Sequence, residues 1–433
     1  MDTTTRKVNI LLLGSGGREH ALLAKLADSP RAGELYVAPG NGGMFGLATR
    51  VDLDPASPTE VTAWALAHDI GLVVIGPEAP LMEGVADACR SAKIPTFGPN
   101  LKAARIEGSK KFAKQVMGRA GVPTAAWRSF TDEKSCLEYV GRIDGPCVVK
   151  ADGLAAGKGV IVAKDADEAA EGVRACFSGE FGEAGSSVLV EEILSGPECS
   201  LLVLTDGRTV VPLATSQDHK RAYEGDTGPN TGGMGVYSPV PLVTPAELDE
   251  MVEIMERVVA KLAADGIPYS GCFYGGFMLT DEGPKVLEFN ARFGDPETQA
   301  VLPRMHADLV EVMLACDRGV LDRCMISWDD DWAVSVVLAS AGYPGSYETG
   351  KPITGIEDAE ALEGVTVYHA GTALDDDGRL VTSGGRVLAV TAVAPTFEAA
   401  RERAYEGVGL IDFDGKFFRT DIGMKAILGR DGQ

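Results

Sequence analysis

The amino-acid sequence predicts a multidomain protein of α/β and α+β class: an open parallel α/β domain first, a larger mixed domain next and a small lobe last. Three observations carry that expectation. Over residues 1–104, short apolar strands closed by glycine alternate with helical patterns, which implies a parallel sheet with its ligand site at the strand C-termini. Residues 105–330 mix strands and helices with two Gly/Pro-rich loops, at 224–241 and 293–296. Beyond them, the strands Ala333–Ser340 and Arg386–Thr391 open a lobe of residues 331–433.

Each element has a local reason. Val8–Leu13 is apolar and ends at Gly14-Ser15-Gly16-Gly17, after which Ala21, Leu22 and Leu26 recur at helical spacing. Leu35–Ala38 and Leu72–Ile75 read as further strands, stopped by Pro39-Gly40 and Gly76-Pro77. A single helix is expected around Lys102–Ala120, ended by Gly121-Val122-Pro123. Cys147–Lys150 and Val160–Ala163 read as strands joined by the loop 151–159, and Val188–Leu194 as another.

Composition narrows the function. A net charge of −23 disfavours nucleic acid and anionic membranes as partners. The first apolar run is too short for a signal core or a membrane span. Eight cysteines without a C-x-x-C pair fit a reduced, cytoplasmic protein without a structural zinc.

Four segments carry chemistry. The opening glycine turn can bring backbone amides to a phosphate, with Arg18 and Asn41 as partners. It is a poor nicotinamide-dinucleotide fingerprint, because Glu19 stands where the third glycine belongs and no acid closes the second strand. The loop from Lys150 to Gly159 is built of small residues and carries Lys158, which suits folding over a polyphosphate; solvated lysines on a hairpin are the plain alternative. In Lys285–Glu297, strand alternation puts Glu288, Asn290 and Arg292 on one face. A carboxylate and an amide oxygen are hard donors for Mg²⁺, and the guanidinium next to them can clamp an anion. The polar loop 216–235 is long enough to be functional. His219 within it reads more readily as a hydrogen-bonded residue than as a base.

Together these segments resemble the ATP-grasp enzymes, and among them the phosphoribosylamine–glycine ligase family. The likeness rests on GSGGREHAL at 14–22, APGNGG at 38–43, GPEAPL at 76–81 and FGP at 97–99. It continues through KADGLAAGKGV at 150–160, SQDHKRAYEGDTGPNTGGMG at 216–235 and LEFNARFGDPETQ at 287–299. ASAGYPG at 339–345, HAGT at 369–372 and TSGGRVLAVT at 382–391 complete it.

The resemblance implies an ATP-grasp core with a mobile lid at about 124–194, and ATP bound between two sheets. Lys110, Lys150, Gly157, Lys158, Glu191, Leu194 and Glu198 would meet ATP. Glu288 and Asn290 would hold Mg²⁺ or Mn²⁺. Gly16, Gly17, Arg18, Asn41, Glu78, Asp218, Lys220 and Arg292 would meet glycine and 5-phosphoribosylamine, with Asp218, Arg292 and Lys158 serving catalysis. It implies a ligase, monomeric or weakly dimeric, that joins glycine to phosphoribosylamine through an acyl phosphate; the absence of further catalytic modules after residue 433 suggests a stand-alone enzyme. One departure stands out: many ATP-grasp enzymes carry a second metal carboxylate upstream, where this chain has Gly276. The alternatives are a ligase for another carboxylate, a nucleotide-binding regulator and an oxidoreductase.

Overall fold

The computed structural model describes residues 6–153, 159–179 and 182–429. The N-terminal sheet is wholly parallel, in the spatial order Thr49–Arg50, Ala32–Pro39, Val8–Gly14, Ile70–Ile75 and Thr96–Phe97. Its strands are apolar on both faces because both faces are covered. Leu11, Leu13, Val73 and Ile75 pack with Val61, Ala65 and Val85 on one side. Ile10, Leu12, Leu72 and Val74 join Leu22 and Leu26 on the other, in a cluster that continues into Leu202, Tyr274 and Met313 of the middle domain. Strand order reverses at Val8–Gly14, so a crevice opens at the C-terminal ends of Val8–Gly14 and Ile70–Ile75.

The expected helix 102–120 is two helices, Leu101–Gly108 and Lys110–Ala120. A β-carbon on Gly108 would sit 2.7 Å from Met82 Sδ, so the glycine lets Met82 pack closely at the end of the first helix. Ser109 then caps the second helix, its Oγ accepting the Phe112 amide. Asp152 fixes the junction by accepting Ser109 Oγ at 3.0 Å and the Lys111 amide at 3.1 Å.

Two antiparallel sheets follow. One runs Trp127–Phe130, Val188–Glu192, Cys147–Ala151, Val160–Ala163, and the helices Glu133–Val140 and Ala166–Phe177 close it over a core of its own. The other runs Val210–Pro212, Glu198–Asp206, Ser270–Thr280, Gly283–Asn290, backed by the helix Pro245–Ala264. The C-terminal sheet is built on Trp332–Ser340, Arg386–Ala394 and Val365–His369. It also takes in two short strands from the middle of the chain: Gly235–Ser238 pairs with Trp332–Ser340, and Gln217–Asp218 pairs with Gly235–Ser238. Residues that the sequence groups with the middle domain are thus carried on the edge of the last one. No helix among the described residues is long and apolar enough to cross a membrane.

Candidate active site

A cleft of about 1590 Å³ runs between these parts. At its N-terminal end the glycine turn holds a protein carboxylate. Glu19 is 1% exposed, and its Oε2 accepts the Gly16 amide at 2.6 Å. A β-carbon on Gly14 would lie 2.5 Å from Glu19 Cγ, and one on Gly76 would lie 2.3 Å from Oε1. Both glycines make room for Glu19. The same carboxylate pairs with Arg18 Nε, and Arg18 Nη1 donates to the Phe293 carbonyl at 3.1 Å, on the cleft wall. Asn41 is not on that wall. It is buried, its Nδ2 donates to the carbonyls of Ser15 and His369, and its Oδ1 accepts the Gly43 amide. Gly17 packs against Gln299 and Ala370 instead of lining the cleft.

On the wall formed by the strands Cys147–Ala151 and Val188–Glu192, Glu191 gathers two lysines. Lys114 Nζ lies 2.9 Å and Lys150 Nζ 3.0 Å from its Oε2, while Oε1 is buried without a hydrogen-bond partner among the described residues. Lys110 Nζ donates to the Gly153 carbonyl at 2.9 Å, where the small-residue loop begins. Burial pushes the ammonium groups of Lys110 and Lys114 below the ordinary lysine range, with the nearby carboxylates opposing. Leu194 and Glu198 continue the wall. Gly157 and Lys158 lie outside the described residues.

The strand Gly283–Asn290 forms the opposite wall. Glu288 and Asn290 share its cleft-facing side. Burial works to raise the Glu288 carboxyl, but Lys220, Lys150, Lys110 and Arg292 outweigh it and hold the group below the usual range. Gly276 pairs with Glu288 on the neighbouring strand, and a β-carbon on it would lie 3.4 Å from Glu288 Cγ. Position 276 therefore faces the same spot but offers no carboxylate. Among the described residues no group of three or more acidic, His or Cys side chains is placed to hold a metal. The pair Glu288 and Asn290 fits an ion that fills its remaining positions with water and phosphate oxygens, as Mg²⁺ does.

Arg292 follows directly. Its Nη2 lies 2.9 Å from Glu107 Oε1, and its Nε lies 3.4 Å from Glu78 Oε2 without a hydrogen-bonding approach. Glu107 also accepts the Ala291 amide at 2.7 Å. Burial raises the Glu107 carboxyl; at Glu78 burial is outweighed by Arg292 and Arg18, so that group is held low. The helix break at Ser109 serves this layout: Glu107 near the end of one helix faces Arg292, and Lys110 begins the next facing Gly153.

The loop 216–235 supplies the third wall. Lys220 Nζ lies 3.2 Å from Glu198 Oε2 and 3.8 Å from Glu288 Oε1. Asp218 is buried, and burial lifts its carboxyl to about 7, with Lys220 opposing and Glu297 and Glu198 adding to the rise. Glu297, also buried, accepts Ser200 Oγ at 3.2 Å, and Ser200 Oγ is 2.9 Å from Tyr274 Oη. His219 turns away to the C-terminal segment, where its Nε2 accepts the Gly423 amide; burial holds its imidazole neutral, at about 3. The loop tip is clamped by Arg419, 1% exposed, which reaches Asp226 Oδ1 at 2.9 Å, Asp421 Oδ2 at 2.6 Å and the Arg221 carbonyl at 2.9 Å.

The structure thus gathers Gly16, Arg18, Glu78, Lys110, Lys150, Glu191, Leu194, Glu198, Asp218, Lys220, Glu288, Asn290 and Arg292 around one cleft. Reading the sequence did not single out Lys114, Glu107, Asp295, Glu297 or Arg386, which share it. Glu297, Asp295 and Arg386 stood within quoted motifs; Lys114 and Glu107 did not.

Two antiparallel sheets, with Lys150 on one and Lys110 and Lys114 on a helix beside it, and with Glu288 and Asn290 on a strand of the other followed by Arg292, define an ATP-grasp enzyme. Residues 8–107, 108–298 and 333–425 match the N domain, the ATP-grasp (A) domain and the C domain of phosphoribosylglycinamide synthetase. The chain belongs to the phosphoribosylglycinamide synthetase family. It is 49% identical over 422 residues to phosphoribosylamine–glycine ligase of Rhizobium meliloti strain 1021, covering 97% of this chain and 99% of that one. The Pseudomonas aeruginosa relative of the same name is 48% identical over 432 residues, covering 98% and 100%. The crystal structure of phosphoribosylamine–glycine ligase from Thermotoga maritima superposes with a TM-score of 0.84 at 34% identity, covering 96% of this chain and 100% of that one. A biotin carboxylase domain from Hydrogenobacter thermophilus, solved with MgADP and bicarbonate, shares the fold at 16% identity and a TM-score of 0.74.

Proposed function

We infer that this chain joins glycine to 5-phosphoribosylamine at the expense of ATP, giving glycinamide ribonucleotide, ADP and phosphate in purine biosynthesis. The observation that carries the reading is the cleft of a family member in which Lys110 and Lys150 line the same cavity as Glu288, Asn290 and Arg292. A carboxylate oxygen is a poor leaving group, so the glycine carboxylate first attacks the γ-phosphorus of ATP and releases ADP. The amine of phosphoribosylamine then attacks the acyl carbon and expels phosphate.

Catalysis in this scheme is positioning and charge neutralisation. Lys110 and Lys150 hold the nucleotide phosphates, with Lys158 as a further cation from the covering loop. Glu191 and Leu194 flank the base, and Glu198 meets the ribose. Arg292, steadied by Glu107 and Glu78, holds the glycine carboxylate. Lys220 links Glu198 and Glu288 across the cleft, and Asp218 accepts the proton that the attacking amine loses. Glu288 and Asn290 would hold Mg²⁺ or Mn²⁺, which supplies positive charge to the phosphate oxygens. Arg18 faces phosphoribosylamine. The Gly16 amide, engaged by Glu19, and Asn41, engaged by backbone, shape the turn around it. The same reading makes the protein a cytoplasmic monomer or weak homodimer.

Glycine labelled with oxygen-18 in its carboxylate tests the route. One label should appear in the released phosphate, and ADP release should require all three substrates. Unlabelled phosphate excludes the acyl phosphate.

A further inference from the structure

The inferred activity needs an amine held beside activated glycine, and Asp295 stands where the three parts of the molecule meet. Its Oδ1 is committed: it accepts Gln299 Nε2 at 2.9 Å and lies 3.3 Å from Arg386 Nη1. Arg386 is itself anchored, since Nη1 donates to the Asp295 carbonyl at 2.9 Å and to the Gly232 carbonyl at 2.8 Å. The C-terminal lobe therefore fixes this carboxylate from one side.

Oδ2 is different. It accepts no hydrogen bond from any described side chain or amide, although the residue lines the cleft and its side chain is 14% exposed. It faces the opening glycine turn, where a β-carbon on Gly16 would lie 3.1 Å away. Any larger residue at position 16 would cover it. The Gly16 amide cannot serve it either, because that N–H already donates to Glu19. Burial opposes ionisation of Asp295, but Arg386, Arg18 and Arg292 outweigh it and keep the carboxyl below its usual range. An ionised carboxylate with one oxygen fixed and the other open to the cleft is a receptor for an N–H donor.

We propose that Asp295 binds the amine end of phosphoribosylamine through Oδ2, with Gln299 and Arg386 as positioning residues. The proposal rests on the ligase reading above. Accepting one N–H leaves the nitrogen lone pair pointing away from the carboxylate and free to attack. The proton lost after attack goes to Asp218, the weaker acid of the two.

The test is Asp295→Asn in the full chain, with phosphoribosylamine formed in situ from ribose 5-phosphate and ammonia. Asparagine keeps an oxygen for Gln299 and presents an NH₂ where Oδ2 stood. KM for phosphoribosylamine should rise about tenfold or more, while KM for ATP and glycine stays within about twofold. Gln299→Ala leaves the charge but frees the carboxylate to rotate, and it should raise the same KM by a smaller factor; it decides the matter if the first variant does not fold. An unchanged KM for phosphoribosylamine overturns the proposal, and so does an equal loss toward all three substrates. Wild-type protein that releases no ADP with the complete mixture overturns the ligase reading itself, a result the variants cannot produce.

Discussion

Asp218 and Glu288 both sit within the field of Lys220, yet their carboxyl groups are tuned apart. Burial dominates at Asp218 and lifts it to about 7; four cations dominate at Glu288 and hold it ionised. Two carboxylates with opposite environments fit two tasks, proton acceptance and cation binding. If Asp218 works as a carboxylate base, kcat should fall as pH drops below about 7, because the proton then occupies the base. Asp218→Asn should remove that limb and lower kcat on the order of 100-fold; a variant with the wild-type pH profile would exclude the role. Glu288→Ala should cost more than the roughly 10–100-fold typical of residues one step removed from a metal, with the fold intact by circular dichroism. Near-normal turnover at saturating Mg²⁺ would remove it from the site. Glu288 and Asn290 were legible because strand alternation alone puts them on one face. Glu19 was not: the glycine pattern announces a space, and a sequence does not say whether a ligand or a neighbouring side chain fills it.

Among the elements, what stayed hidden was decided by contacts between distant segments. The strands Thr49–Arg50 and Thr96–Phe97 are two residues each, too short for any periodicity, and exist because the parallel sheet offers them an edge. The junction between the helices Leu101–Gly108 and Lys110–Ala120 is held by Asp152, far away in sequence. The loop 216–235 stood out in the sequence by its length and glycines, and it lines the cleft, but the sequence did not show what holds it still. Arg419 does so, buried between Asp226 and Asp421. Arg419→Met leaves both aspartates without that partner in a half-buried setting; Lys425 still reaches Asp226 and the Gly225 amide still reaches Asp421. A loss of about 3 kcal/mol is expected, at the lower end for a broken buried pair, seen as a lower denaturation midpoint. An unchanged midpoint would mean that the clamp carries no stability.

At the scale of the whole molecule, the C-terminal lobe is held to the rest partly through buried imidazoles, which makes its docking sensitive to acid. His20, on the first helix, accepts the His369 amide at 2.8 Å through Nδ1, and the two rings lie 5.3 Å apart. Burial depresses both, His20 to about 3, with His369 adding to the effect, and His369 to about 4. Both are neutral in the folded protein at neutral pH. Their ordinary value is 6.5, so below that pH the unfolded chain takes up protons that the folded one refuses. Stability from these groups is complete above pH 6.5 and drains away as pH falls toward 4. The loss should reach on the order of a few kcal/mol by then. His20→Gln keeps an acceptor for the His369 amide but cannot take up a proton. It should flatten the decline in urea midpoint between pH 6.5 and 4. An equally steep decline in the variant would place the acid sensitivity elsewhere. The junction was beyond sequence reading for the reason that the strands at 217–238 were: it pairs residues from opposite ends of the chain, and only the folded sheets bring them together.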